Sequence, residues 1–380
     1  MSIPAFLETV ATRLASDRDN THVVLVSGND SADLDSIIAS LLFAFLSDRR
    51  QDEASQTLFV PYVKVPFADL ALRPEVGYVF DRAGISTTSL ICADRARLDE
   101  VSQLEIAMVD HNRLTPPLSD LTSARVISIL DHHVDEGCYP DASPRWVEMV
   151  GSCTSQVLLY FEQELKTLSK EDMTTLGTLA LAPILVDSVG LRWEMGKTTQ
   201  KDVDAFGLVA PFVFGTVDTQ ATSVRAYYNK IESVKSQIDH LSCRDLLRKD
   251  YKEWVVNGYR VGTSAMSWYL HGWLDRDGQE KIVHEAYAYA DERSLDLEIV
   301  MTSYDHGKDS DDGKYQREMA FFVVNEKLLS IKTTIENDAH VGLSPLIPSG
   351  DHRVGFYSQA NIKLSRKQIW PMVQALLEQL

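Results

Sequence analysis

The chain has 380 residues, 44% of them hydrophobic and 24% charged, an ordinary composition for a folded protein long enough to form two domains. A formal charge of -18 with no dense basic tract excludes general nucleic-acid binding, but it leaves room for a polyanionic ligand in a locally positive or cation-bearing cleft. No apolar run approaches the roughly 20 residues of a membrane span, and Glu8, Arg13, Asp17, Arg18 and Asp19 interrupt the start too often for a secretory signal, so a cytoplasmic protein is expected.

Phe6, Val10 and Leu14 recur at helical spacing and predict the buried stripe of a first helix. A β-branched strand over 22–27 then runs into a loop with Asn29, Asp30, Asp33 and Asp35, and a helix over 36–46 follows at once. One aspartate would suffice as a helix cap. Crowded carboxylates repel one another unless a cation neutralises them, so the cluster suggests metal binding as well as capping.

Further strands are predicted over 57–65, 105–109, 125–130 and 145–150, with helices over 155–165 and 174–185. Such alternation argues for a parallel sheet covered by helices. The strand ending at Val109 is followed by Asp110-His111-Asn112, and the one ending at Leu130 by Asp131-His132-His133. Asp187 follows an apolar helix. Aspartate and histidine together suit hard or borderline divalent cations, and a shared carboxylate could bridge two ions about 3.5–4 Å apart. Gly151-Ser152-Cys153-Thr154-Ser155 reads either as hydroxyls capping a helix start or as a phosphate contact. Cys92, Cys138, Cys153 and Cys243 have no paired spacing and suggest neither a zinc cluster nor a disulfide framework.

Residues 206–222 hold Gly207, Pro211 and Gly215 and lack a clean period, so a linker is placed at 208–222, between domains over 1–207 and 223–380. The second domain is expected to be a smaller α+β unit. Its elements are a helix over 223–241, a basic run over 244–252, strands over 259–264, 297–303 and 319–324, an exposed loop over 305–314 and a final helix over 367–380. Trp268, Tyr269 and Trp273 read as core.

The order, spacing and strand-end setting of these clusters resemble the signature motifs of the DHH phosphoesterase superfamily, named for the triplet seen here as Asp131-His132-His133. Ser365-Arg366-Lys367 resembles the signature of the carboxyl-terminal domain type found in family II pyrophosphatases and exopolyphosphatases, and Arg248-Lys249-Asp250-Tyr251-Lys252-Glu253 is similar to its basic opening. The resemblance implies a parallel-sheet α/β domain, a smaller α+β domain and an active site in the cleft between them. It implies that Asp33, Asp110 and Asp187, with Asn29 as a weak fourth ligand, hold one metal, and that Asp35, Asp110, His132 and Asp187 hold the other. His133, Lys252, Ser365, Arg366 and Lys367 would contact substrate, with His133, Asp110, Arg366 and Lys367 in catalytic roles. The cofactors would be two divalent cations, magnesium or manganese, with cobalt an alternative.

Family II pyrophosphatases carry histidine where this chain has Asn29, whereas exopolyphosphatases and prune-type proteins resemble it in having asparagine. The resemblance therefore implies an exopolyphosphatase acting on inorganic polyphosphate or another short phosphoanhydride, and a monomer is expected. The alternatives are an inorganic pyrophosphatase or a prune-like regulatory protein.

Overall fold

A computed structural model describes the chain except residues 17–21, 53–54, 56, 97, 99–100, 102, 122–123, 306–314 and 349. The chain divides into two units, Met1–Val234 and Lys235–Leu380.

The first unit contains β1 (His22–Ser27), β2 (Leu58–Val63), β3 (Ile91–Cys92), β4 (Gln103–Val109), β5 (Arg125–Asp131) and β6 (Arg145–Val147) in one sheet ordered β3-β2-β1-β4-β5-β6. Every pairing is parallel. Parallel strands need crossover connections, and α2 (Leu34–Arg50) and α3 (Pro74–Arg82) lie in those from β1 to β2 and from β2 to β3; α1 (Ile3–Ser16) precedes β1, and α4 (Cys153–Tyr160), α5 (Glu162–Leu165), α6 (Lys170–Asp187), α7 (Gln200–Phe214) and α8 (Thr222–Lys235) follow β6. Val23 to Val26 are all buried, as a strand covered on both faces requires.

The strand order reverses between β1 and β4. In an open α/β sheet the crevice at the carboxyl ends flanking such a reversal is where ligands bind. The loops after β1 and β4 carry the two clusters that begin at Asn29 and Asp110.

The linker expected over 208–222 is not one. Residues 200–214 form α7, with Gly207 and Pro211 inside it, because Ala205, Phe206, Val209 and Ala210 recur at helical spacing and are buried. Val224, Tyr227 and Ile231 of α8 join the same core, so the first unit runs on to Val234. Packing of this apolar face outweighs the breaker composition.

The second unit comprises α9 (Cys243–Arg248), β7 (Tyr251–Val256), β8 (Tyr259–Met266), α10 (Leu270–Asp277), α11 (Gln279–Glu292), β9 (Leu297–Thr302), β10 (Tyr304–Asp305), β11 (Tyr315–Val323), α12 (Leu329–Glu336), β12 (Leu343–Pro345), β13 (Val354–Gln359) and α13 (Arg366–Leu377). Its sheet order is β12-β13-β11-β9-β8-β7, with β8 and β9 parallel, the other neighbours antiparallel and β10 paired with β11. Phe321, Ile299 and Met319 pack with Ile369, Val373 and Leu377 of α13. Trp268 and Trp273 are buried, as expected, whereas Tyr269 is half-buried. The loop expected over 305–314 lies outside the described residues from position 306 onward. Among the described residues, no helix is long and apolar enough to cross a membrane.

Candidate metal centre

The loop after β1 turns tightly because Gly28 allows it. A Cβ there would lie 2.5 Å from Ser36 Cβ and 2.9 Å from the Ser36 carbonyl oxygen, so only glycine lets β1 and α2 approach this closely. The approach lets Asn29 N–H donate to Ser36 Oγ at 2.9 Å. Asp33 caps α2 by accepting from Ser36 N–H at 3.0 Å, so the capping role expected of one aspartate falls to this one.

Asp110, just beyond β4, adopts a left-handed backbone with φ +62° and is buried. Its Oδ2 accepts from Asn29 Nδ2 and from Ser36 Oγ, each at 2.6 Å. Its Oδ1 instead faces two histidines, 2.9 Å from His132 Nε2 and 3.6 Å from His133 Nδ1. The amide of Asn29 holds Asp110, while its oxygen accepts from Ser31 N–H at 2.9 Å and Ser31 Oγ at 2.6 Å. This occupancy differs from the weak-ligand role implied for Asn29 by resemblance.

His132 Nδ1 donates to the Val150 carbonyl at 3.1 Å, which fixes the ring and turns Nε2 toward Asp110 Oδ1 and, at 3.8 Å, Asp35 Oδ2. A lone pair facing two carboxylates calls for a cation or a proton between them. His133 Nδ1 donates to Asp131 Oδ1 at 2.7 Å. Asn112 Nδ2 donates to the other carboxylate oxygen, Asp131 Oδ2. Burial opposes charge on Asp131 most strongly, but the bond and charge of His133, with the charge of His132, together outweigh it and hold the carboxyl at about 2. Asp110, His132 and His133 each offer a ligand atom within 4.8 Å of the others. Such oxygen and imidazole donors fit a divalent cation.

Asp35 faces the same histidine and is held by the amino terminus of α4. Ser152 Oγ (2.8 Å), Thr154 N–H (2.9 Å) and Thr154 Oγ1 (2.6 Å) donate to its Oδ1, and Cys153 N–H (2.7 Å) donates to its Oδ2. Ser152 Oγ also accepts from Thr154 N–H, so the capping reading of the Gly151–Ser155 segment holds, and the donors of this turn reach a carboxylate of the site. Cys153 is a buried thiol whose Sγ accepts from Asp110 N–H and donates to the Leu130 carbonyl, each at 3.2 Å, and burial pushes its pKa well up.

Asp187 is the last residue of α6 and is half-buried. The turn after it is strained, with Val189 at φ +55° and Leu191 at φ +57°, a region that branched side chains avoid. His111 donates its Nδ1 proton to the Val109 carbonyl at 2.9 Å. Its Nε2 is buried without a partner among the described residues, and burial holds its pKa low.

The residues sequence reasoning missed are those behind the ligands. Lys64, beyond β2, pairs with Asp30, and Thr115 donates to the same carboxylate at 2.6 Å. Asp202 on α7 is fully buried and accepts from Gly151, Ser152 and Ser155. A lysine one strand away from an aspartate cluster is a usable signal, but Asp202 carried none.

In the second unit, Arg366 at the start of α13 donates to the Asp250 carbonyl at 2.9 Å and to Asp250 Oδ1 at 2.6 Å. Burial opposes charge on Asp250, but Arg366, Lys252 and Lys249 outweigh it and hold the carboxyl at about 2. Ser365, implied as a substrate contact, forms a capping box with Gln368. Lys367 beside it is exposed, and Lys252 lies on β7.

Comparison with known proteins matches residues 23–184 to the DHH family, N-terminal domain, and residues 229–376 to the DHHA2 domain. A Schizosaccharomyces pombe protein named "Putative exopolyphosphatase" is 29% identical over 379 residues, covering 93% of this chain and 91% of that protein. The Rattus norvegicus protein "Exopolyphosphatase PRUNE1" is 27% identical over 368 residues, covering 94% of this chain and 75% of its own. The fold matches a crystal structure described as that of "Methanococcus jannaschii putative family II inorganic pyrophosphatase", with a TM-score of 0.60 at 18% identity, covering 93% of this chain and 98% of that one.

Proposed function

We propose that this chain, which belongs to the DHH family and carries a DHHA2 domain after its DHH domain, is an exopolyphosphatase that hydrolyses terminal phosphoanhydride bonds of inorganic polyphosphate and releases orthophosphate. The observation that carries the reading is the contact of Asp110 Oδ1 with His132 Nε2 at a sheet reversal, with Asp35 facing the same nitrogen. Relatives named exopolyphosphatase match along more than nine-tenths of the chain, whereas a Deinococcus radiodurans protein named as a probable manganese-dependent inorganic pyrophosphatase aligns with 60% of it.

In this reading Asp33, Asp35, Asp110, His132 and Asp187 hold two divalent cations, magnesium or manganese. When bound, the cations lower the pKa of a water and neutralise phosphate charge. The remaining work belongs to the chain. Asp110 and Asp35 are acceptor-rich and pre-positioned by Asn29, Ser36 and the α4 turn, so little reorganisation is needed when charge develops. His133, oriented by Asp131, contacts a phosphate oxygen and carries a proton toward the leaving phosphate. Lys252, Arg366 and Lys367 neutralise the phosphate chain, as phosphoryl transfer requires. Asp250 keeps the Arg366 guanidinium in one orientation.

The test is release of phosphate from pyrophosphate, tripolyphosphate and long polyphosphate, each with magnesium, manganese or cobalt. Faster turnover of the longer chains supports the proposal. Strong preference for pyrophosphate would make the chain a pyrophosphatase, and no hydrolysis with any metal would leave a binding protein.

A further inference from the structure

The first four amides of a helix have no partner within it. Leading into α4, whose N-cap is Ser152, the four successive amides of Gly151 to Thr154 are divided between two buried carboxylates. Asp202 accepts from Gly151 N–H at 2.9 Å and Ser152 N–H at 3.2 Å, while Asp35 accepts from Cys153 N–H at 2.7 Å and Thr154 N–H at 2.9 Å. Side chains complete each set, Ser155 Oγ on Asp202 at 2.7 Å and Ser152 and Thr154 hydroxyls on Asp35. Asp202 also caps α7 through Thr199, so the turn is anchored to a second helix. Gly151 is required because a Cβ there would sit 2.6 Å from Asp202 Oδ2.

The division on Asp35 is uneven. Oδ1 receives three donors, and Oδ2, the atom facing His132 Nε2, receives one. A carboxylate oxygen with three donors has no lone pair left, so the turn leaves Oδ2 as the atom that can meet a cation.

We infer that the Gly151–Thr154 turn is a positioning device for metal binding, with Thr154 as the residue that assigns Oδ1 to the protein and Oδ2 to the cation. The inference rests on the reading of Asp35, Asp110 and His132 as a divalent-metal site. Thr154 is fully buried and its Oγ1 makes the shortest of the four bonds. Without that hydroxyl, Oδ1 loses its shortest tether and the carboxylate can turn about the two donors that remain, which weakens the geometry at Oδ2. Outer-shell partners of metal ligands are worth about 10–100-fold in affinity.

The experiment is calorimetric titration of the full chain with Mn²⁺, well below the melting temperature of the metal-free protein. The proteins are the unmodified chain, Asp110→Asn, Thr154→Val and Thr154→Ser. Thr154→Val, which keeps shape and backbone N–H, should bind Mn²⁺ about 10–100-fold more weakly, and Thr154→Ser should restore affinity. Equal affinity of the unmodified chain and Thr154→Val overturns the inference, as does a serine variant as weak as the valine one. If the unmodified chain and Asp110→Asn both bind no Mn²⁺, the metal reading itself fails. Should Thr154→Val not fold, Ser152→Ala removes a different donor from Oδ1. It should show the same loss, and unmodified affinity there overturns the inference.

Discussion

Asp110 Oδ1 lies 2.9 Å from His132 Nε2, joining the carboxyl ends of two neighbouring strands through a carboxylate and an imidazole lone pair. Asn29 and Ser36 donate to Oδ2, and Oδ1 is the oxygen turned toward the histidines between the strands. Asp110→Asn replaces one oxygen by an amide and removes the charge. Phosphate release from polyphosphate should fall by at least about a hundredfold, more than the loss of an outer-shell partner. A phosphate-release assay checks it, and a variant within a few-fold of the unmodified chain would remove Asp110 from the site.

Gly28→Ala tests the packing that brings Asn29 and Ser36 to Asp110. The new methyl would overlap Ser36 Cβ and its backbone oxygen, and backbone cannot rotate away as a long side chain can. Overpacking of this kind costs ~1–3 kcal/mol. Urea unfolding should show a lower midpoint with an unchanged slope. Activity should fall by more than stability alone explains, since moving Ser36 releases Asp110.

Much of this was legible in the sequence because the chemistry sits where hydrophobic pattern changes abruptly. β1 was read to the residue, and β5 to within one, since each is an apolar run ended by a polar cluster, Ser27-Gly28-Asn29-Asp30 in one and Asp131-His132-His133 in the other. Asp110, His132 and His133 follow such runs directly, and the sheet brings those ends together. The partners behind them were not legible. Asp202 reaches the site only because α7 packs across α4, and no local pattern encodes that crossing. The linker failed for a related reason: Gly207 and Pro211 signal irregular chain locally, but burial of Phe206, Val209 and Ala210 decides the outcome. Ser365 shows the converse, a motif residue whose hydroxyl completes a capping box.

Asp250→Asn should loosen Arg366. The folded carboxyl titrates at about 2, below its ordinary 3.8, so its contribution is complete above pH 3.8 and disappears as pH falls through about 2. At pH 7 the variant should lose ~1.5–3 kcal/mol, the range for hydrogen bonds to charged groups. The difference from the unmodified chain should narrow toward pH 2. If Arg366 contacts polyphosphate as proposed, KM rises more than kcat falls. Unfolding curves at pH 7 and pH 3, with a kinetic assay, check both parts.

Glu298 offers the opposite sign. It lies on β9, fully buried, and its Oε2 has no partner among the described residues. Ser264 Oγ is 2.5 Å from both Oε1 of Glu298 and the Leu247 carbonyl oxygen. One hydroxyl proton cannot serve both acceptors, so a proton on the carboxyl completes the set. Burial, assisted by Glu253, pushes this carboxyl from 4.5 up to about 8. Between those values the folded protein holds a proton that the unfolded chain has released. Stability from this group is therefore full below pH 4.5 and declines as pH rises through about 8. Glu298→Gln supplies a neutral donor that does not titrate. The variant should match the unmodified chain near pH 5 and exceed it above pH 8 by on the order of a few kcal/mol. Melting temperatures recorded from pH 5 to pH 9 decide it: parallel curves for the two proteins would mean that Glu298 is not protonated in the fold.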